Sequence, residues 1–159
     1  MPDIVVACSN LIEVDGRIVL VRETKSSARG RFNLPAGKLE VGETLTTGAE
    51  REAFEESGLV VRVEHLVGVY HCVETAEGFA VINFVFASTA IGGVLTTTFE
   101  HPEVRAFSDA EIRSLGDARL LRGAHIERAL ADHRAGVRLP VELLQVVQAS
   151  PFPTTVTPD

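Results

Sequence analysis

The chain has 159 residues, 45% of them hydrophobic, which suits one domain with an ordinary core and excludes extensive disorder. Its 22 acidic residues against 15 Lys and Arg give a formal net charge of −7, which argues against a broad nucleic-acid-binding face. A small phosphorylated ligand is not excluded, because a few arginines or a metal ion can hold one.

The start, MPDIVVACSN, has no basic segment before its short apolar run, so it makes a poor signal peptide. Residues 4–8 and 11–14 are rich in β formers, and Asp15-Gly16 is a hairpin signal before a strand at 17–22. Residues 23–31 read as a polar loop, 32–34 as a short strand closed by Pro35, and 37–42 as a glycine-bearing loop. A helix follows from about Thr44 to Ser57, with Gly58 where a C-cap belongs. Residues 59–73 and 79–88, rich in Val, Ile and Phe, form a long hairpin joined by Ala76-Glu77-Gly78. Residues 104–107 read as a strand, and Ser108 with Glu111 as a capping box opening a short helix. A further helix spans 121–134, stopped by Gly136, and 137–147 is ambiguous between strand and helix. The expected organisation is a single domain over 1–150 and a mobile tail, PFPTTVTPD, at 151–159. The fold class is α+β with mixed or antiparallel pairing, since the regular alternation of a doubly wound sheet is missing. Cys8 and Cys72 lack metal-ligand spacing and read as small hydrophobes in strands. The longest apolar run, 79–87, falls far short of the ~20 residues of a membrane span, so a cytoplasmic protein with no membrane partner is expected.

The stretch AEREAFEESG, residues 49–58, crowds four glutamates onto the helix. Glu52, Glu55 and Glu56 stand at i, i+3 and i+4, where like charges cost roughly 0.2–0.5 kcal/mol per pair. At ~100° per residue they share an arc with Leu45, Gly48 and Ala49, whereas Glu50 points elsewhere. A solvated face would have its apolar residues on the other side. Carboxylates on a packed face need neutralising, and oxygen donors of this kind suit Mg²⁺ or Mn²⁺.

From Gly37 the chain reads Gly, five residues, Glu43, seven residues, then Arg51-Glu52-Ala53-Phe54-Glu55-Glu56-Ser57-Gly58-Leu59. This pattern resembles the Nudix box, with Phe32 where Trp is frequent and Ala36 where a second Gly is frequent. The resemblance covers roughly 4–147. It implies an α/β/α sandwich around a mixed sheet, and Mg²⁺-dependent hydrolysis of a phosphoanhydride in a small nucleotide-like substrate. It also implies Glu52, Glu55, Glu56 and the Gly37 carbonyl as metal ligands, Arg51 as the residue that orients a box carboxylate, and Glu43 and Gly58 as supports. The proton acceptor is a box Glu or a loop Glu, Glu100 or Glu103, with Glu103 preferred. Arg29 and Arg31 are candidate phosphate contacts and Phe84 a candidate base contact, although Phe84 and Phe86 read first as core. His125 and His133, on the late helix, receive no role.

NLPAGKLEVGETL with the late GVRLPVELL is similar to bacterial Nudix phosphatases acting on nucleoside tri- and diphosphates and thiamine-pathway pyrophosphates. ADP-ribose or dinucleoside polyphosphate hydrolysis stays open, as does a catalytically silent ligand-binding module, although such modules typically lose box carboxylates. The expected partner is a small phosphorylated substrate and not a nucleic-acid polymer, and a homodimer is compatible with the family.

Overall fold

The structure is a computed structural model that describes residues 4–25, 27–73, 75 and 78–148. The tail expected at 151–159 and the turn residues Ala76 and Glu77 lie outside the described residues. Seven strands and three helices follow in the order β1 (Ile4–Val14), β2 (Arg17–Arg22), β3 (Phe32–Asn33), β4 (Ala36–Lys38), α1 (Leu45–Ser57), β5 (Leu59–Cys72), β6 (Ala80–Gly93), β7 (Val104–Phe107), α2 (Asp109–Asp117) and α3 (Ala124–Arg134). The sheet runs β3-β2-β1-β6-β5, with β4 added to β1 and β7 to β2. Pairing is mixed: β1 and β6 are parallel, and the remaining strand pairs are antiparallel.

Alternation along β1 and β6 divides the core between the two faces of the sheet. Leu11 and Val85 pack with Ile112, Ile126 and Leu130 of α2 and α3. Their neighbours Ile12 and Phe86 face the other way, against Ala53 and Ala49 of α1. Helices therefore cover both faces, and the α/β/α arrangement is present.

Helix α1 has the ends its sequence requires. Thr44 caps it reciprocally with Thr47, and Gly58 closes it in the left-handed region at φ 77°. Its buried residues include Gly48, Ala49, Glu52 and Ala53, so carboxylate and small residues do share the packed face. Glu50, on the other side, accepts a hydrogen bond from Val63 N at 3.1 Å, beside an irregularity in the β5–β6 register.

Three local readings differ from the structure, each because of a long-range contact. β1 runs unbroken through Ser9 and Asn10, both fully buried polar residues. Ser9 Oγ donates to Asn83 Oδ1 at 2.7 Å, Asn10 Nδ2 donates to Ala49 O at 2.7 Å, and Ser88 Oγ donates to Asn10 Oδ1 at 2.8 Å. Residues 36–38, read as loop, form β4 because β1 offers them a free edge. The late helix starts at Ala124 and not at 121, because 120–122 lies extended against β3. The ambiguous segment 137–147 contains one short 3-10 turn, Val141–Leu143, and a bridge from Leu139 to Leu66. Among the described residues no helix is long and apolar enough to cross a membrane.

Gly58 and Gly136 both have positive φ, at 77° and 83°, but only a Cβ on Gly58 would collide with the Val94 carbonyl. Alanine in that region costs about 1–3 kcal/mol, and overpacking adds a similar amount. Gly58→Ala is expected to lose at least about 1 kcal/mol more than Gly136→Ala in denaturant unfolding. Equal losses would mean that the Val94 carbonyl can move aside.

Candidate active site

Arg51 stands at the centre of the box. Its Nε and Nη2 donate to the two oxygens of Glu43 at 3.0 and 2.8 Å, a bidentate pair. Nη2 also donates to the Lys38 carbonyl at 3.2 Å, and Nη1 to Glu52 Oε1 at 2.6 Å and Glu55 Oε2 at 3.2 Å. The hydrogen bond from Arg51 holds Glu43 below the usual carboxylate range, and the same bond raises Arg51. One guanidinium thus joins the loop after β4 to the carboxylate face of α1.

Glu52 is the most enclosed of the box carboxylates, its side chain 11% exposed. It lies directly over Gly37, where a Cβ would overlap the carboxylate. That contact is the physical reason for glycine at 37. Burial pushes Glu52 upward, Arg51 opposes this, and the charges of Glu56 and Glu55 add to the rise. Glu56 is fixed from two sides: Ala36 N donates to Oε2 at 2.9 Å, and His101 Nε2 lies 3.0 Å from Oε1. His101 is almost fully buried, and its Nδ1 sits 3.2 Å from the Arg22 carbonyl. Burial pulls its pKa down, but the Glu56 carboxylate and smaller contributions from Glu23 and the Arg22 carbonyl outweigh this and leave it raised.

Glu43, Glu52 and Glu55 share one guanidinium, and with Glu56 nearby the site is left anionic. Among the described residues no three His, Cys, Asp or Glu side chains stand close enough to hold a metal ion as placed, since Arg51 draws Glu52 and Glu55 to itself. The chemistry of the donors nevertheless fits a hard divalent cation: Glu52, Glu55 and Glu56 line one cavity, all with oxygen ligands, and Glu52 is under-neutralised.

That cavity has a volume of about 1020 Å³. Gly37, Arg51, Glu52, Glu55 and Glu56 line it together. Arg31 and Glu100 reach it as well. Arg29, Phe84 and Glu103 are not among its lining residues. Phe84 packs instead beside Cys8, Ala49 and Phe86 on the α1 face, because its position on β6 turns it away from the cavity while Asn83 faces in. Glu103 is ion-paired with Arg22 at 3.6 Å and Arg105 at 3.3 Å. Glu100, three residues earlier, pairs loosely with Lys25 at 3.8 Å, and its backbone carbonyl accepts from Thr24 Oγ1 at 2.8 Å.

Several lining residues were not found by sequence reasoning. Among them are Glu23, Asn33, His101 and Arg122, and His125, which the sequence left without a role, lines the cavity as well. None has a spacing signal, since each reaches the cavity only through strand pairing or loop contacts across the fold.

With this geometry in view, the comparisons with known proteins agree. The family model described as NUDIX domain matches residues 1–132. The chain is 36% identical over 102 residues to an ADP-ribose pyrophosphatase of Methanocaldococcus jannaschii, covering 64% of this chain and 60% of that protein. It is 24% identical over 143 residues to Phosphatase NudJ of Escherichia coli O1:K1, covering 90% of each. A NUDIX hydrolase structure from Nitrosomonas europaea superposes with a TM-score of 0.84 at 28% identity, covering 93% of this chain and all of that one. The box geometry, the sandwich fold and a family match over most of the chain agree: this chain belongs to the NUDIX domain family.

Proposed function

We propose that this protein hydrolyses a phosphoanhydride bond in a small nucleotide or related pyrophosphate ester, with Mg²⁺ or Mn²⁺ held by Glu52, Glu55 and Glu56. The observation that carries the reading is the convergence of those three carboxylates and Gly37 on one cavity, with Glu52 and Glu55 held by Arg51 and Glu56 by Ala36 N and His101. When bound, a divalent cation supplies charge neutralisation for the phosphates and lowers the pKa of a coordinated water.

The chain's own residues divide the remaining work. Arg51 holds Glu52 and the loop after β4 in place, and is a positioning residue that does not touch substrate. Glu56 is oriented by Ala36 N and His101. We assign proton uptake from the attacking water to the Glu100 carboxylate, the loop candidate that lines the cavity. Arg31 is a phosphate contact from the loop ahead of the box.

Two substrate readings have specific support. The cavity volume and the archaeal relative named ADP-ribose pyrophosphatase favour a nucleoside diphosphate joined to a second group. The resemblance of NLPAGKLEVGETL and GVRLPVELL to family phosphatases of nucleoside tri- and diphosphates and thiamine-pathway pyrophosphates favours free nucleotides or such a pyrophosphate, and the likeness over 90% of a protein named Phosphatase NudJ is compatible with it. The net charge of −7 and an enclosed anionic site disfavour a polynucleotide. A panel of free nucleotides, ADP-ribose, thiamine pyrophosphate and a 5′-triphosphorylated oligoribonucleotide, run with Mg²⁺ and with EDTA, separates these. Free small substrates are expected to exceed the oligonucleotide widely in kcat/KM, with EDTA abolishing turnover. Equal activity on the oligonucleotide, or turnover in EDTA, would overturn the reading.

Glu56→Gln is expected to cut kcat by about 10² or more with little change in stability, because it relieves a like-charge cluster. Near-normal turnover at saturating Mg²⁺ would remove Glu56 from the site. Arg51→Lys keeps the charge but loses the planar fork, so kcat should fall while KM stays close to wild type. A rise in KM alone would place Arg51 against substrate. For the proton acceptor, Glu100→Gln should lower kcat by about 10² and Glu103→Gln by less than about twofold. The reverse order would return the role to Glu103.

A further inference from the structure

Two imidazoles that the hydrolase site does not use stand together at the end of α3. His65 of β5 and His133 in the last turn of α3 are stacked, their planes 12° apart and their ring centroids 6.1 Å apart. His65 is 9% exposed, and its Nε2 is buried with no hydrogen-bond partner among the described residues. His133 Nε2 lies 3.4 Å from Glu13 Oε2 of β1, and its Nδ1 is buried without a partner among the described residues. Charges face the pair from several elements. Arg138, on the segment after α3, and His133 oppose a proton on His65, whereas Glu64, beside it in β5, favours one but already holds Arg62 at 2.9 Å. Glu13, which faces His133, also accepts from Arg134 Nη1 at 2.8 Å. From β6 the residue opposite His65 is the apolar Ala87.

The next residue along β5 is where the segment after α3 is fastened to the sheet. Leu66 and Leu139 exchange both backbone hydrogen bonds at 2.9 Å, and Val137 N donates to Asp132 O at 3.0 Å. Beyond that bridge, Val141 and Leu144 pack on the α1 face beside Leu66 and Phe86. Arg138, Leu139 and Leu143 are exposed. A segment held by so few buried contacts opens at lower cost than the sheet beneath it. Burial first, and then the charge of Arg138, pushes His65 below the ordinary imidazole range. Above the ordinary value of about 6.5, His65 is neutral whether the segment is docked or open. As the pH falls through that value, the open form takes up a proton that the docked form resists, so docking weakens toward acid.

We propose that stacked His65 and His133 form an acid-sensitive latch on residues 137–144, which stay docked on the sheet edge while His65 is uncharged and come away when it takes up a proton. The latch reaches the cavity through α3. Asp132, whose carbonyl holds Val137, also accepts from Tyr70 Oη at 2.9 Å, and Tyr70 lines the cavity. Release of the segment in acid therefore loosens the anchor of a cavity residue from outside the box. The inference is independent of the hydrolase reading, since it involves neither substrate nor metal.

Amide hydrogen exchange at Leu66 and Leu139, corrected for the intrinsic effect of pH, reads the latch directly. In the wild type their protection is expected to fall about threefold or more between about pH 7.5 and 5.5, relative to amides in the centre of β1. His65→Phe keeps a ring and removes the titration, so protection at both amides should stay level over that range. Because a new ring also changes packing, Arg138→Gln, at an exposed position, is the second variant. It takes away a charge that opposes the proton and should reduce the acid loss to about half. Protection that is constant with pH in the wild type would overturn the latch, as would an acid loss equally steep in His65→Phe or in Arg138→Gln. A wild type inert on every nucleotide would sink the hydrolase reading and leave these exchange results to decide the latch alone.

Discussion

The structure depends on one electrostatic constraint: a buried carboxylate, Glu52, pressed onto the backbone at Gly37 and held there by Arg51. Burial disfavours that charge, and its neighbours Glu55 and Glu56 disfavour it further. The guanidinium of Arg51 offsets part of this through short hydrogen bonds and, through Glu43 and the Lys38 carbonyl, fastens the loop to the helix. Glycine at 37, glycine and alanines on the buried face of α1, and the closed ends of that helix all follow from bringing the helix this near to another backbone. A site that keeps several carboxylates together when one arginine cannot neutralise them is structurally costly.

The sheet's part is to make this arrangement rigid. Asn10, fully buried in β1, reaches from the centre of the sheet to the Ala49 carbonyl in α1 and accepts from Ser88 of β6. An amide in this position has its hydrogen bonds satisfied by three elements at once, and so it fixes the register of the helix on the sheet. β4 pairs beside it, which sets Gly37 and Ala36 against Glu52 and Glu56. The box wall is therefore built on strands and a helix, and the loop that brings Glu100 and His101 beside it is pinned by Thr24 and by the Arg22 carbonyl.

How much of this the sequence discloses depends on range. α1, its caps and its charged face are written within fifteen consecutive residues, in a period and a set of end signals that local physics enforces, so the box and its acidic face are legible. The hairpin turn at Asp15-Gly16 is equally local, with both residues at positive φ. Glu23 and Arg122 are 99 positions apart and meet through one hydrogen bond, which nothing in either neighbourhood announces. His101 reaches Glu56 only after the chain returns from β6. Phe84 shows the other limit. A strand covered by helices on both faces has apolar residues at odd and even positions alike, so alternation cannot say which set faces the cavity. Glu100 and Glu103 pose the same difficulty in a loop, where no period exists to separate an inward carboxylate from an outward one.

The two kinds of wall in the cavity explain how a chain of net charge −7 can receive a phosphorylated ligand at all. The box carboxylates by themselves leave that wall anionic, because Glu43, Glu52 and Glu55 share one guanidinium. Across the same cavity a single oxygen of Glu23 holds both Arg122 and Asn33, so the chain balances the Glu23 and Arg122 charges itself there, whereas the box carboxylates outnumber the one guanidinium they share.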